Sequence, residues 1–232
     1  MLKIKPILAS IIGMTTLLIS SLLVSGKQYL LLSFIFLAMG MYPLYQRFER
    51  RKMTAREIVF IAVLATIAAV SRVPFAMLPS VQPTSFVIIV AAMILGKESG
   101  FMIGATAALV SNMFLGQGPW TLWQMFCWGL MGYTAGLLGK TPFLKEMWGR
   151  LVFGFIWGFI FGWIMNLWYV IGFIQPLTAL TFLQAYAASF YFDLAHALSN
   201  VFFLFFFSAS WLKIIQRFQK KYGLLDFEEN HF

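Results

Sequence analysis

Gly116-Gln-Gly-Pro-Trp-Thr-Leu-Trp-Gln-Met-Phe-Cys-Trp128 separates two apolar runs, 101–115 and 130–138. Both runs are continuous rather than alternating, so each reads as a helix rather than a half-buried strand. A chain that only crossed a membrane would place a short charged turn between them. Instead the segment carries two carboxamides, Gln117 and Gln124, and three indoles, Trp120, Trp123 and Trp128. Large aromatics with a polar tip suit a wet mouth that grips a flat, partly apolar guest.

The rest of the chain sets that mouth in a membrane. Of 232 residues, 61% are hydrophobic and 11% are charged, and the mean hydropathy is +0.83. Soluble domains carry about 25% charged residues. Backbone groups in lipid must be satisfied internally, which leaves helix bundles or closed barrels, and long unbroken apolar runs select helices. The pattern predicts an all-α integral membrane protein with helices near 6–24, 28–45, 55–73, 84–96, 100–115, 121–139, 150–172 and 186–212. The helices 84–96 and 100–115 fall short of the roughly 20 residues that cross the hydrocarbon. They are expected inside a bundle, or beneath a depression open to one side, with a tight inner turn at 96–100.

Net charge is +9, but its distribution records topology. With both termini inside, 15 of the 17 Lys and Arg residues fall on cytoplasmic segments, leaving Lys27 and Arg72 outside. That split follows the positive-inside rule and predicts a multi-pass protein of the cell membrane. No nucleic acid or other polyanion is needed to explain it. Lys3 and Lys5 start the chain, but no small-x-small cleavage site follows the first apolar stretch, so a retained hairpin is preferred to a cleaved signal. Composition shifts at 47–56. Residues 1–50 read as a plain transmembrane hairpin, 54–214 as the working unit, and 215–232 as a cytoplasmic tail.

Small residues recur at four-residue spacing: Gly100, Gly104 and Ala108; Gly132 and Gly136; Gly154, Gly158 and Gly162. Such stripes let helix backbones approach closely in a membrane. Ala62, Ala65 and Ala69 form a similar face on the first helix of the working unit, and that face is assigned to a partner. The loop 72–83 holds three prolines and is expected to be ordered but not helical. Arg72, Phe75 and Gln82 mark it as a candidate gate beside the mouth. A connector lying in the membrane interface explains it equally well.

Asp193, His196 and Asn200 stand at i, i+3 and i+7 on the last helix and so share a face. An ionised Asp within a membrane helix costs about 2.5–3.5 kcal/mol on insertion scales, so Asp193 is expected to face a cavity or a partner. His196, one turn away, is the nearest candidate. Asn112 joins Gln117 and Gln124 at the same depth, while Asn166 is isolated among Met165, Leu167 and Trp168. The expected substrate-binding set is Asn112, Gln117, Trp120, Trp123, Gln124, Asp193, His196 and Asn200.

Enzyme chemistry finds little footing. The only histidines are His196 and His231, and the only cysteine is Cys127, so no metal site or disulfide framework is expected. Of eight acids only Asp193 is placed inside the bundle, which leaves no carboxylate pair. Gly139-Lys140-Thr141 imitates the end of a phosphate loop, but the glycine required five positions earlier is Thr134. The chain is read as a non-enzyme with no cofactor of its own.

Residues 54–211 resemble the substrate-binding S components of energy-coupling factor (ECF) vitamin transporters. The likeness is carried by Pro83-Thr-Ser-Phe-Val-Ile-Ile, the turn 96–100, Gly116-Gln-Gly-Pro-Trp-Thr-Leu-Trp-Gln-Met125, Gly129-Leu-Met-Gly-Tyr-Thr-Ala-Gly136 and Asp193-Leu-Ala-His196. The resemblance implies a six-helix bundle, here preceded by the hairpin 1–50, with the vitamin site near the external face. It also implies partners: a transmembrane coupling protein and two cytosolic ATPases, with bound vitamin carried inward by toppling. Ala65 and Ala69 match the family's Ala-x-x-x-Ala contact with the coupling protein. Within the family the chain looks most like the cobalamin branch. A corrin has apolar faces and an amide rim, which indoles and carboxamides suit. A flavin or another aromatic vitamin would be served by the same residue types, and a stand-alone proton-linked carrier using Asp193 and His196 is the rival from another class.

Overall fold

The computed structural model describes residues 29–51 and 53–224. The expected helix 6–24, the basic start and His231 lie outside the described residues, as do parts of the proposed hairpin and tail. The described chain is all-helical, without strands. Its helices are α1 (Tyr29–Glu49), α2 (Ala55–Val70), α3 (Thr84–Leu95), α4 (Lys97–Leu115), α5 (Trp120–Leu138), the single turn α6 (Pro142–Lys145), α7 (Met147–Phe173) and α8 (Ala179–Tyr222). Among the described residues, three segments are long and apolar enough to cross a membrane: Ala55–Phe75, Met147–Phe173 and Ala179–Tyr222.

Local chemistry sets the boundaries. Thr54 and Glu57 form a reciprocal capping box at the start of α2, the Thr54 amide donating to Glu57 Oε2 at 2.6 Å. Gly96, at φ 87°, is the sole residue between α3 and α4, so the inner turn is tighter than the expected five residues. Only a residue tolerant of positive φ reverses the chain in so little space. Pro119 precedes α5, where its missing N–H is not needed. The helix α8 is longer than expected, at 44 residues. It begins at a second capping box, Thr178 with Thr181, and stops at Gly223 in the left-handed conformation. At 1.5 Å per residue it extends about 66 Å, roughly twice the hydrocarbon thickness.

Packing explains the short helices. Ten of the twelve residues of α3 are buried, so this helix runs through the middle of the bundle, as its length predicts. The α4–α5 and α7–α8 seams are the tightest. A methyl built on Gly100 would overlap the Gly132 backbone, and the reverse holds for Gly132. Gly104 lies equally close to the Trp128 carbonyl, and Gly158 to the backbone of Ala197. These stripes serve internal packing, as expected. The same use now covers two residues assigned to a partner. Ala65 and Ala69 are 1% and 0% exposed, inside the core, whereas Ala62 lies on the outside. The reason is geometric: α2 presses on α3 and α4, and alanine is what lets it come close.

Helix alternation gives the bundle two ends. One gathers Arg51, Lys97, Lys140 and Lys145 around a polar cavity of about 500 Å³, with Glu98 bridged to Arg51 at 3.7 Å and to Lys97 at 3.9 Å. The other gathers the loop 71–83, the α4–α5 junction and the end of α7.

Candidate substrate-binding site

At that second end the loop between α2 and α3 folds over the bundle. It is not wholly irregular, since Val73–Phe75 forms a 3-10 turn. Phe75 packs its edge on Phe203 of α8, with ring centroids 5.5 Å apart. The Gln82 backbone N–H donates to Ser199 Oγ at 3.0 Å, tying the loop's far side to the same helix. Met77 and Leu78 stay outside, Met77 being 89% exposed. The loop is thus a roof with one aromatic pin and an apolar tip.

Arg72 hangs from this roof into the bundle. Its Nε donates to Gln82 Oε1 at 2.9 Å, and its Nη1 donates to Ser111 Oγ at 2.6 Å and Asn112 Oδ1 at 3.0 Å. The guanidinium carbon stands 4.8 Å from the centre of the Trp128 ring, a cation–π arrangement. The network runs on through Asn112, whose amide donates to Thr121 Oγ1 at 3.0 Å and Gln124 Oε1 at 2.7 Å. Thr121 in turn donates to Gln117 Oε1 at 2.9 Å, and Gln117 reaches back to the Leu109 carbonyl. One cation and four carboxamides, from the roof loop, α4, the α4–α5 junction and α5, therefore meet in a single cluster. Asn112, Gln117 and Gln124, expected in the binding set, thus meet Arg72 and Gln82, expected in the gate.

The indoles divide. Trp120, at the first position of α5, is half-buried at the rim, its ring edge-on to Trp168 at 6.1 Å. Trp123 and Trp128 are 3% and 0% exposed. The expected mouth of three indoles is therefore corrected to one at the rim and two within. The cause is helix phase: α5 starts at Trp120, so Trp123 and Trp128 lie one and two turns inside it. Trp128 Nε1 donates to Ser85 Oγ at 3.1 Å, and that hydroxyl also lies 3.0 Å from His196 Nε2. Trp123 Nε1 is buried with no hydrogen-bond partner among the described residues.

The expected Asp193–His196 couple does not form. Both are buried, yet each faces a different neighbour. His196 meets Ser85 of α3 and stands edge-on to Phe161, with centroids 5.0 Å apart. Asp193 Oδ2 takes the Ser189 hydroxyl at 3.1 Å, and Ser189 accepts the amide of Asn166 from α7. The carboxylate lies against Gly162, where any side chain would overlap it. Asn200 donates to the Gly154 carbonyl at 2.9 Å across the same α7–α8 seam, its Oδ1 buried without a partner. A shared helical face places three side chains on one side of α8, but a packed helix has several neighbours along that side. Asn166, isolated in the sequence, proves to be the partner of the Asp193 network.

A model of the family "ECF transporter, substrate-specific component" matches residues 56–218. The chain belongs to that family. It is accordingly a transporter's substrate-binding subunit, and its apolar helices are those of a membrane protein. Membership implies association with the coupling and ATPase components of such a transporter. Neither the curated proteins nor the solved structures contain a significant match to the chain.

Proposed function

We propose that this S component captures cobalamin at the external face and delivers it inward by toppling, together with a transmembrane coupling protein and two cytosolic ATPases. One observation carries the reading. Arg72, Asn112, Gln117, Gln124 and the rim indole Trp120 converge at one end of the family-matched unit, beneath a proline-stiffened roof. Carboxamides that now bond one another can exchange those bonds for the amide rim of a corrin, and Trp120 with Trp168 offers flat apolar surface. Lifting the Phe75 pin opens the way, which makes the loop 71–83 the gate of this proposal.

The partner face follows from burial. With Ala65 and Ala69 inside, the outer row of α2 is Val59, Ala62, Val63, Thr66 and Ile67. Part of that row runs into an apolar groove of about 890 Å³ shared with Trp211, Ile214 and Phe218 of α8. A helix of the coupling protein fits a long apolar surface of this kind better than a charged cytosolic ATPase does.

Binding by the purified full chain in nanodiscs tests the reading, with cobalamin, riboflavin and other vitamins measured side by side. Cobalamin is expected to bind saturably without partner subunits; exclusive binding of riboflavin would reassign the ligand. Uptake is expected only with the partners present and ATP hydrolysed. Movement of substrate by the chain alone under a proton gradient would favour the stand-alone carrier, whose Asp193–His196 couple the geometry does not supply.

A further inference from the structure

We infer that Arg72 is an anion-binding residue, and that the transported ligand presents a carboxylate or phosphate oxygen to its guanidinium. The inference rests on the reading of this end as the substrate site and narrows the class of substrate.

Two observations support it. First, every acceptor that Arg72 has found is neutral: Gln82, Ser111 and Asn112. Guanidinium does not lose its proton in a protein, so the charge persists and needs an offset. Among the described residues no carboxylate pairs with it, and Asp193 is held by Ser189 instead. Second, those three bonds use only Nε and Nη1. They fix the guanidinium plane above Trp128 and leave Nη2 with no partner among the described residues. An arginine locked on one edge and free on the other is arranged to receive an oxyanion, since little freedom remains to be lost on binding.

This separates ligands that indoles and amides alone do not. Cobalamin carries a phosphodiester in its nucleotide arm, whereas riboflavin has no group ionised at neutral pH. The assignment also gives Arg72 a role in specificity beyond supporting the roof.

The test compares affinities of the full chain in nanodiscs for ligand pairs that differ in an anionic group. The leading pair is cobalamin and cobinamide, which lacks the phosphodiester arm. Nicotinate with nicotinamide, biotin with biotinamide, and pantothenate with panthenol extend the panel. The wild type is expected to prefer the anionic member of the bound pair by about tenfold or more, the scale of one charged hydrogen bond. Arg72→Gln should reduce that preference to less than about threefold, while Arg72→Lys keeps most of it. An arginine that merely pinned the loop would weaken both members alike and leave the ratio unchanged. Cobalamin bound with no preference over cobinamide, or a preference that survives Arg72→Gln, overturns the inference and leaves the cobalamin reading standing. Failure of cobalamin to bind, with another acid preferred through Arg72, removes cobalamin and upholds the anion site. Binding of neutral members only, or of none in the panel, refutes the anion site.

Discussion

Two of the polar clusters in this bundle are built differently. At the α2–α3 roof, Arg72, Asn112, Gln117 and Gln124 come from the roof loop, α4, the α4–α5 junction and α5, and end at a rim containing exposed Gln117 and half-buried Trp120. At the α7–α8 seam, Asn166, Ser189 and Asp193 form a short chain between two helices, closed over by Gly162. The first holds a cation among neutral acceptors and reaches the surface at Gln117; the second holds an acid among donors, with Asp193 buried behind half-buried Ser189 and Asn166. Polar residues in membrane helices can capture a guest or fix a packing register, and here the first role is proposed for the Arg72 cluster and the second for the Asp193 chain.

The largest effect that would sharpen this contrast is expected at Asn112. Asn112→Leu removes an acceptor from Arg72 and strands the Gln124 carbonyl, so ligand affinity should fall by tenfold or more, consistent with about 1–3 kcal/mol for orphaned polar groups. Titration calorimetry on the folded variant measures this; unchanged affinity would break the contrast on its functional side. Gly162→Ala should act on the other cluster. It pushes the Asp193 carboxylate aside and is expected to destabilise the bundle by roughly 1–3 kcal/mol, seen as a lower thermal midpoint, with ligand affinity held within about threefold. A collapse of affinity there would place Asp193 back in the site. Trp120→Ala should lower affinity by a few fold without moving the midpoint, about 0.5–1.5 kcal/mol for a lost aromatic contact at the rim. Smallest on binding is Ala62→Trp. On the outer row of α2 it should leave affinity unchanged yet block uptake by the assembled transporter, whereas Ala65→Leu should damage folding itself. Normal uptake by Ala62→Trp would clear that face of a partner role.

Much of this was legible in the chain. Continuous apolar runs gave the helices, and the brevity of 84–96 foretold the buried central position of α3. Glycines at four-residue spacing marked the α4–α5 and α7–α8 seams. The amides around Gly116–Trp128 foretold the cluster that Arg72 completes. Other features were hidden for physical reasons. Spacing on α8 put Asp193 beside His196, but His196 meets Ser85 of α3, while Asp193 takes Ser189 one turn back on its own helix, which Asn166 of α7 holds in place. Contacts from α3 and α7 are not contained in a one-dimensional pattern. Alanine spacing on α2 has the same appearance for an inner seam as for an outer interface, so Ala65 and Ala69 were misplaced. The full length of α8 was signalled by Thr178, Thr181 and Gly223, cap residues that lie beyond the apolar stretch.

The most direct measurement is the binding isotherm of cobalamin on the purified full chain, free of coupling protein and ATPases. Saturable one-to-one binding that Asn112→Leu weakens and Gly162→Ala spares is the expected result. No binding of cobalamin or of any other vitamin, from a chain shown to be folded, would contradict the assignment of the Arg72 cluster as the substrate site.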